Sequence, residues 1–119
     1  MQLLLDSAII EEAIKASEWG WVKGATTNPT LLAKSNLSPE KTLLRISKCF
    51  EGPIFYQLIS KTIESIVSEA KIASDILGKR LVLKIPATEF GFKATNHLSK
   101  TYACAVTSIF TPQQAMVAH

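Results

Sequence analysis

The strongest constraint on this chain is a couplet. A short apolar run followed by an amphipathic stretch recurs five times, at intervals of roughly 20 to 30 residues, which is the rhythm of βα units around a parallel sheet. The apolar runs are Gln2 to Leu5, Val22 to Thr26, Ile54 to Ile59, Leu81 to Ile85 and Tyr102 to Val106. They show little alternation of polar and apolar residues, which predicts strands buried on both faces. Right-handed crossovers between such strands give an α/β fold, either a doubly wound sheet or a barrel, and the couplets alone do not choose.

The helices announce their ends. Ile10, Ala13, Ile14 and Ser17 share a face in the first amphipathic stretch, Glu11 and Glu12 suit its N-terminal dipole, and Gly20 closes it. Asn28-Pro29 supplies a cap and a first helical residue for Thr30 to Lys34, and Ser38-Pro39-Glu40 starts another helix with Leu43, Ile46 and Phe50 on one side. Gly52-Pro53 breaks that helix. Ile63, Val67, Ala70 and Leu77 mark the next, with Gly78 after it, and Glu89 to Leu98 follows the strand that Pro86 closes. Thr111-Pro112 then opens a helix that has only begun by His119, so the chain is expected to stop before its fold does.

Composition narrows the partners. The 119 residues are 47% hydrophobic, which excludes disorder, and 13 Lys+Arg against 10 Asp+Glu leave a net charge of only +3. Lys34, Lys41, Arg45, Lys48, Lys79 and Arg80 are dispersed among apolar residues, so no nucleic-acid footprint is expected. Cys49 and Cys104 are too few for a disulfide framework and predict reduced thiols in the cytoplasm. The start, Met1 to Asp6, has no basic leader, and no apolar run approaches the roughly 20 residues of a membrane span.

In parallel α/β folds ligands bind at the carboxyl ends of the strands, and here those ends are polar. They carry Asp6, then Thr26-Thr27-Asn28, Gln57, Lys84 and Thr107-Ser108. Lys84 weighs most. An ammonium inside Leu-Val-Leu-Lys-Ile is costly unless paired or neutral, and a neutral amine is a nucleophile towards carbonyls; the ordinary alternative is a lysine whose stem carries its charge out of the strand end. Asp6 is a proton acceptor, an ion-pair partner for Lys84, or simply a cap of the first helix. Asn28 has an ordinary explanation as a cap, whereas Gln57, inside an apolar strand, must find hydrogen-bond partners such as a water or a substrate hydroxyl.

Other residues carry less. Trp19 and Trp21 are expected to cover the core at the end of the first helix, with packing at an interface as the lesser alternative. His97 has no second ligand at helical spacing, so no metal site is expected, and the absence of GxxxxGK[ST] and GxGxxG leaves no nucleotide phosphate loop and no cofactor.

Three segments, Leu5-Asp6-Ser7-Ala8, Gly24-Ala25-Thr26-Thr27-Asn28-Pro29-Thr30-Leu31-Leu32 and Leu83-Lys84-Ile85-Pro86-Ala87-Thr88, together resemble the transaldolases, in particular their short fructose-6-phosphate aldolase-like branch. The Thr-Thr-Asn-Pro-Thr segment is the most specific. Thr107 and Thr111-Pro112-Gln113-Gln114-Ala115 extend the similarity along the whole chain, but only over the first part of a family member. The resemblance implies a (β/α)8 TIM barrel and a Schiff base between Lys84 and a ketose phosphate such as fructose 6-phosphate, in the pentose phosphate pathway of sugar metabolism. It also implies that Asp6 lies near the lysine and substrate hydroxyls, that Asn28 binds substrate oxygen and that Thr26 lines the pocket. Gln57, where many transaldolases have glutamate, would hold with Thr107 the water that moves protons, and the glutamine tilts the expectation from transferase to aldolase.

A TIM barrel needs eight strands and about 200 residues or more, so residues 1–119 are expected to be the N-terminal part of one domain, with about five βα units and without the family's later phosphate-binding residues. Such a piece exposes two sheet edges and its inner face. Two functions therefore stand side by side: a Schiff-base aldolase or transaldolase, as a homo-oligomer or completed by a second chain, and a non-catalytic half-barrel that self-associates.

Overall fold

A computed structural model describes residues 1–119. Five strands, β1 (Leu3–Asp6), β2 (Val22–Thr26), β3 (Ile54–Gln57), β4 (Leu81–Pro86) and β5 (Ala103–Thr107), form one sheet, every neighbouring pair parallel. The helices between and after them are α1 (Ile10–Glu18), α2 (Pro29–Ala33), α3 (Pro39–Cys49), α4 (Ile63–Leu77), α5 (Glu89–Leu98) and α6 (Pro112–Ala118), with a short 3-10 turn at Gly78–Arg80.

The strand order is β1-β2-β3-β4-β5, with no point at which it reverses. Right-handed crossovers that always step the same way put every connecting helix on the same face of the sheet. This is the topology of consecutive units of a barrel; a doubly wound sheet reverses its order and carries helices on both faces. The choice that the couplets left open is thus made by the strand order.

The cap residues act as their chemistry requires. Asn28, Ser38, Thr62, Thr88 and Thr111 each accept a hydrogen bond from a backbone amide of the first turn they precede, and Pro29, Pro39 and Pro112 stand in the first helical turn. The core lies between sheet and helices. In β4 Leu81, Leu83 and Ile85 are buried and alternate with half-buried Val82, Lys84 and Pro86, each buried aliphatic contributing about 1.5–3 kcal/mol. Ile54, Ala25, Ile46, Ile66, Ala70, Ala73 and Ala94 complete the layer.

The expectation of strands buried on both faces is corrected here: in β3 and β4 buried residues occur on the helix-covered face while the other face is only half-buried, and the edge strands β1 and β5, each paired on one side only, have no buried residue. Two helix faces also differ from expectation. The buried stripe of α1 runs through Ala13 and Ala16 while Ile14 is 48% exposed, and that of α4 runs through Ile66, Ala70, Ala73 and Leu77 while Val67 faces outward. In α1 the small residues Ala13 and Ala16 take the contact and let the helix axis approach the sheet closely, whereas in α4 the stripe is rotated by one position, so that Ile66 is buried instead of Val67. Trp19 and Trp21 do not cover the core. They are 58% and 54% exposed and stack on each other, with ring centroids 5.3 Å apart and planes inclined by 16°.

No residue of α6 is buried, and no helix is long and apolar enough to cross a membrane.

Candidate active site

The register of the ladder decides which side chains meet. Asp6 pairs with Thr26, Thr26 with Phe55, Gln57 with Lys84, Lys84 with Ala105, and Pro86 with Thr107. Side chains alternate along a strand and partners in register share a face. Asp6, Thr26, Gln57, Lys84 and Thr107 therefore all stand on one face of the sheet, at its carboxyl end, and that face is the one opposite the helices. Leu83 and Ile85, on either side of Lys84, point into the helix layer and fix the strand from behind.

Lys84 is half-buried, and its Nζ donates to the Thr26 hydroxyl and to the Thr27 carbonyl, both at 3.3 Å. The stem thus reaches across β3 to the end of β2 and keeps its amine over the sheet. No carboxylate pairs with it; the chain's two salt bridges are the helical pairs Lys71–Asp75 and Lys93–Glu89.

An open cavity of about 590 Å³ is lined by Asn28, Pro29, Thr30, Leu31, Gln57, Lys84 and Thr107. Four of the six residues singled out in the sequence line it, and a fifth, Thr26, bonds the lysine. Asp6 is outside. It neither pairs with Lys84 nor caps α1, whose N-cap is Ile9 without a side-chain bond; the turn there is held instead by Ser7, which bonds the Ile9 amide and donates to Glu12. Between Asp6 and Lys84 stand two further strands, and Thr26 is the nearest link, paired to Asp6 in the ladder and bonded to the amine. Asn28 does cap α2, its Oδ1 accepting from the Leu31 amide at 2.9 Å, and it also lines the cavity.

Two contributors escape the motif. Thr27 is fully buried, its hydroxyl bonded to the Phe55 carbonyl at 2.9 Å, and so presents its own carbonyl to Lys84. Glu69, on α4, accepts from the Tyr56 hydroxyl and from the amides of Ile59 and Ser60. Burial and this carboxylate push the Tyr56 phenol well above its ordinary range. Glu69 was legible in principle, because it lies three residues after buried Ile66 and four before buried Ala73, an acid on the core side of its helix. No three metal-ligating residues cluster anywhere in the chain, and His97 is exposed.

A singly wound series of βα units that gathers a lysine, two amides and hydroxyls at the carboxyl end of its sheet, on the face away from the helices, has the architecture of consecutive units of a (β/α) barrel. Comparison with known proteins gives the family. The model of the Transaldolase/Fructose-6-phosphate aldolase family matches residues 3–119, and the chain belongs to that family. Among similar proteins are probable transaldolases of Coprothermobacter proteolyticus (39% identical over 119 residues, 99% of this chain and 54% of the relative), Aquifex aeolicus (37%, 99% and 54%) and Clostridium tetani (39%, 99% and 55%). The chain spans about half the length of the curated relatives it matches.

Proposed function

We propose that this chain supplies the Schiff-base half of an aldol-type enzyme acting on a ketose phosphate such as fructose 6-phosphate. The observation that carries the proposal is the placement of the Lys84 amine at the rim of a cavity it shares with Asn28, Gln57 and Thr107. In the reaction Nζ attacks the ketone carbon, forming a carbon–nitrogen bond, and the former carbonyl oxygen takes up two protons and leaves as water. The protonated imine withdraws the electrons of the bond between the carbon next to it and the hydroxyl-bearing carbon beyond. That bond breaks as the neighbouring hydroxyl gives up its proton, releasing an aldehyde and leaving an enamine of a dihydroxyacetone unit. Protonation and hydrolysis free dihydroxyacetone and regenerate the amine; attack on a second aldehyde completes a transfer instead.

Gln57 and Thr107 hold the water that relays these protons, and Asn28 and Thr26 meet substrate oxygens. Asp6, on the strand beside Thr26, meets substrate hydroxyls on the same face of the sheet. The setting is sugar metabolism in the cytoplasm, through the pentose phosphate pathway, without cofactor or metal. The test is release of aldehyde from fructose 6-phosphate, with and without an acceptor aldehyde, by the chain and by Lys84→Met. Turnover that disappears in Lys84→Met supports the proposal; turnover that survives refutes it.

A second reading, a self-associating module, is favoured by the unpaired sides of β1 and β5 and by the exposed Phe110, Met116 and Val117. Sedimentation separates the two: a folded, inert oligomer supports the module, and an active species supports the enzyme, as a homo-oligomer or with a second chain completing the barrel.

A further inference from the structure

The side chain of Gln57 lines the cavity, yet none of the hydrogen bonds around the end of β3 runs through it. Its aim depends on its backbone. That backbone is held unusually firmly for a strand end that turns into a loop. The Leu58 amide donates to the carbonyl of Lys84 itself at 3.0 Å. The next two amides leave the ladder and converge on one carboxylate: Ile59 donates to both oxygens of Glu69 at 3.1 and 3.3 Å, and Ser60 to Oε2 at 2.9 Å. From the other side of Gln57, the Tyr56 hydroxyl donates to Oε1 at 2.8 Å.

One carboxylate on the second turn of α4 therefore grips the residue before Gln57 and the second and third residues after it. Bonds from neutral donors to an ionised carboxylate are shorter and stronger than neutral ones, and three donors satisfy most of its acceptor sites. The grip also ends β3 at Gln57, since amides committed to Glu69 cannot continue the ladder. Gln57 and Lys84 are partners across that ladder, so the backbone that Glu69 holds is the one that sets the register between the two residues.

We infer that Glu69 is a positioning residue for Gln57 and, through the ladder, for the Lys84 amine. The inference rests on the Schiff-base role proposed above. It acts by geometry alone: a misplacement of about 1 Å at a reacting group costs up to a hundredfold in rate without a matching loss in binding.

The test uses the whole chain and two variants, Glu69→Gln and Glu69→Asp, with dihydroxyacetone as donor and borohydride to trap the adduct on Lys84. Glu69→Gln removes the charge and offers an amide NH2, itself a donor, where three donors point; Glu69→Asp keeps the charge and withdraws it by one methylene. Glu69→Gln is expected to speed hydrogen exchange of the Ile59 and Ser60 amides about tenfold. It should lower the maximal trapping rate about tenfold or more while the donor concentration for half-maximal trapping stays within about threefold. Glu69→Asp falls between it and the parent, and carries the test if Glu69→Gln does not fold. A purely structural role would lower the melting temperature and leave trapping below the melt unchanged, and parental trapping by the folded variants would overturn the inference. If the parent forms no adduct, the Schiff-base reading itself fails, and the positioning role with it.

Discussion

Gly91 lies in the first turn of α5, where α5 crosses the end of β4 two residues past Lys84. A Cβ added there would stand 1.9 Å from the Pro86 carbonyl oxygen and 3.1 Å from the Thr88 hydroxyl that caps the helix. By helix propensity alone Gly91→Ala gains about 1 kcal/mol. Sterics run the other way. Real Cβ atoms essentially never come closer than 3.0 Å, so helix and strand must part by about 1 Å.

The oxygen in the way is backbone, fixed in a close-packed layer, and cannot rotate aside as a flexible side chain would. Overpacking of this kind costs about 1–3 kcal/mol or more, and here it comes with a disturbed cap worth about another 1 kcal/mol. The net expectation is a loss of about 1–3 kcal/mol, read as a lower denaturant midpoint at unchanged slope. The displaced carbonyl belongs to the strand that carries Lys84, so adduct formation should slow as well, by about tenfold or more. A Gly91→Ala chain as stable as the parent, or more so, would show that propensity outweighs the close approach and would refute the reasoning.

Arg80 reaches from the start of β4 to the end of α3, donating through Nη1 to the Ser47 carbonyl at 2.8 Å and to that of Phe50. Arg80→Ala leaves these carbonyls to water and should cost about 1–2 kcal/mol in chemical denaturation with no change in chemistry at Lys84, which lies at the opposite end of the strand. Tyr56 holds its proton more tightly in the folded chain than in the unfolded one. Its contribution is therefore fully present below the free phenol's pKa of about 10 and is lost as pH rises beyond it. Stability measured from pH 9 to 12 should fall less steeply in Tyr56→Phe than in the parent. Burial raises both thiols, Cys49 and Cys104, so each should react with iodoacetamide at pH 8 more slowly than free cysteine does.

What the residues disclose and what they conceal divides along a physical line. Local chemistry reads well: α5 runs from Glu89 to Leu98 as expected because Thr88 caps it, and β2 covers Val22 to Thr26. The TTNPT segment is both the cap of α2 and the wall of the cavity, and Lys84 stands out because it interrupts an apolar strand. Features set by contacts distant in sequence read poorly. Ile14 and Val67 fit the apolar period of their helices, but the residues just before them, Ala13 and Ile66, take the contact with the sheet. Apolarity places the end of β3 at Ile59, whereas Glu69, ten residues further on, draws the Ile59 and Ser60 amides out of the ladder. Nor can spacing reveal that Trp19 and Trp21 stack outside the core, or that Asp6 and Lys84 are separated by two strands and linked through Thr26.

The central claim is that the Lys84 amine forms an imine with a ketose, and it is tested most directly by locating the trapped adduct. The chain would be incubated with dihydroxyacetone or fructose 6-phosphate, reduced with borohydride, digested and sequenced by tandem mass spectrometry. A dihydroxyacetone-derived adduct on Lys84, absent from Lys84→Met and without counterpart on the chain's other lysines, is the predicted result. An unmodified Lys84 in folded chain, or an adduct spread evenly over surface lysines such as Lys71 and Lys93, would contradict it.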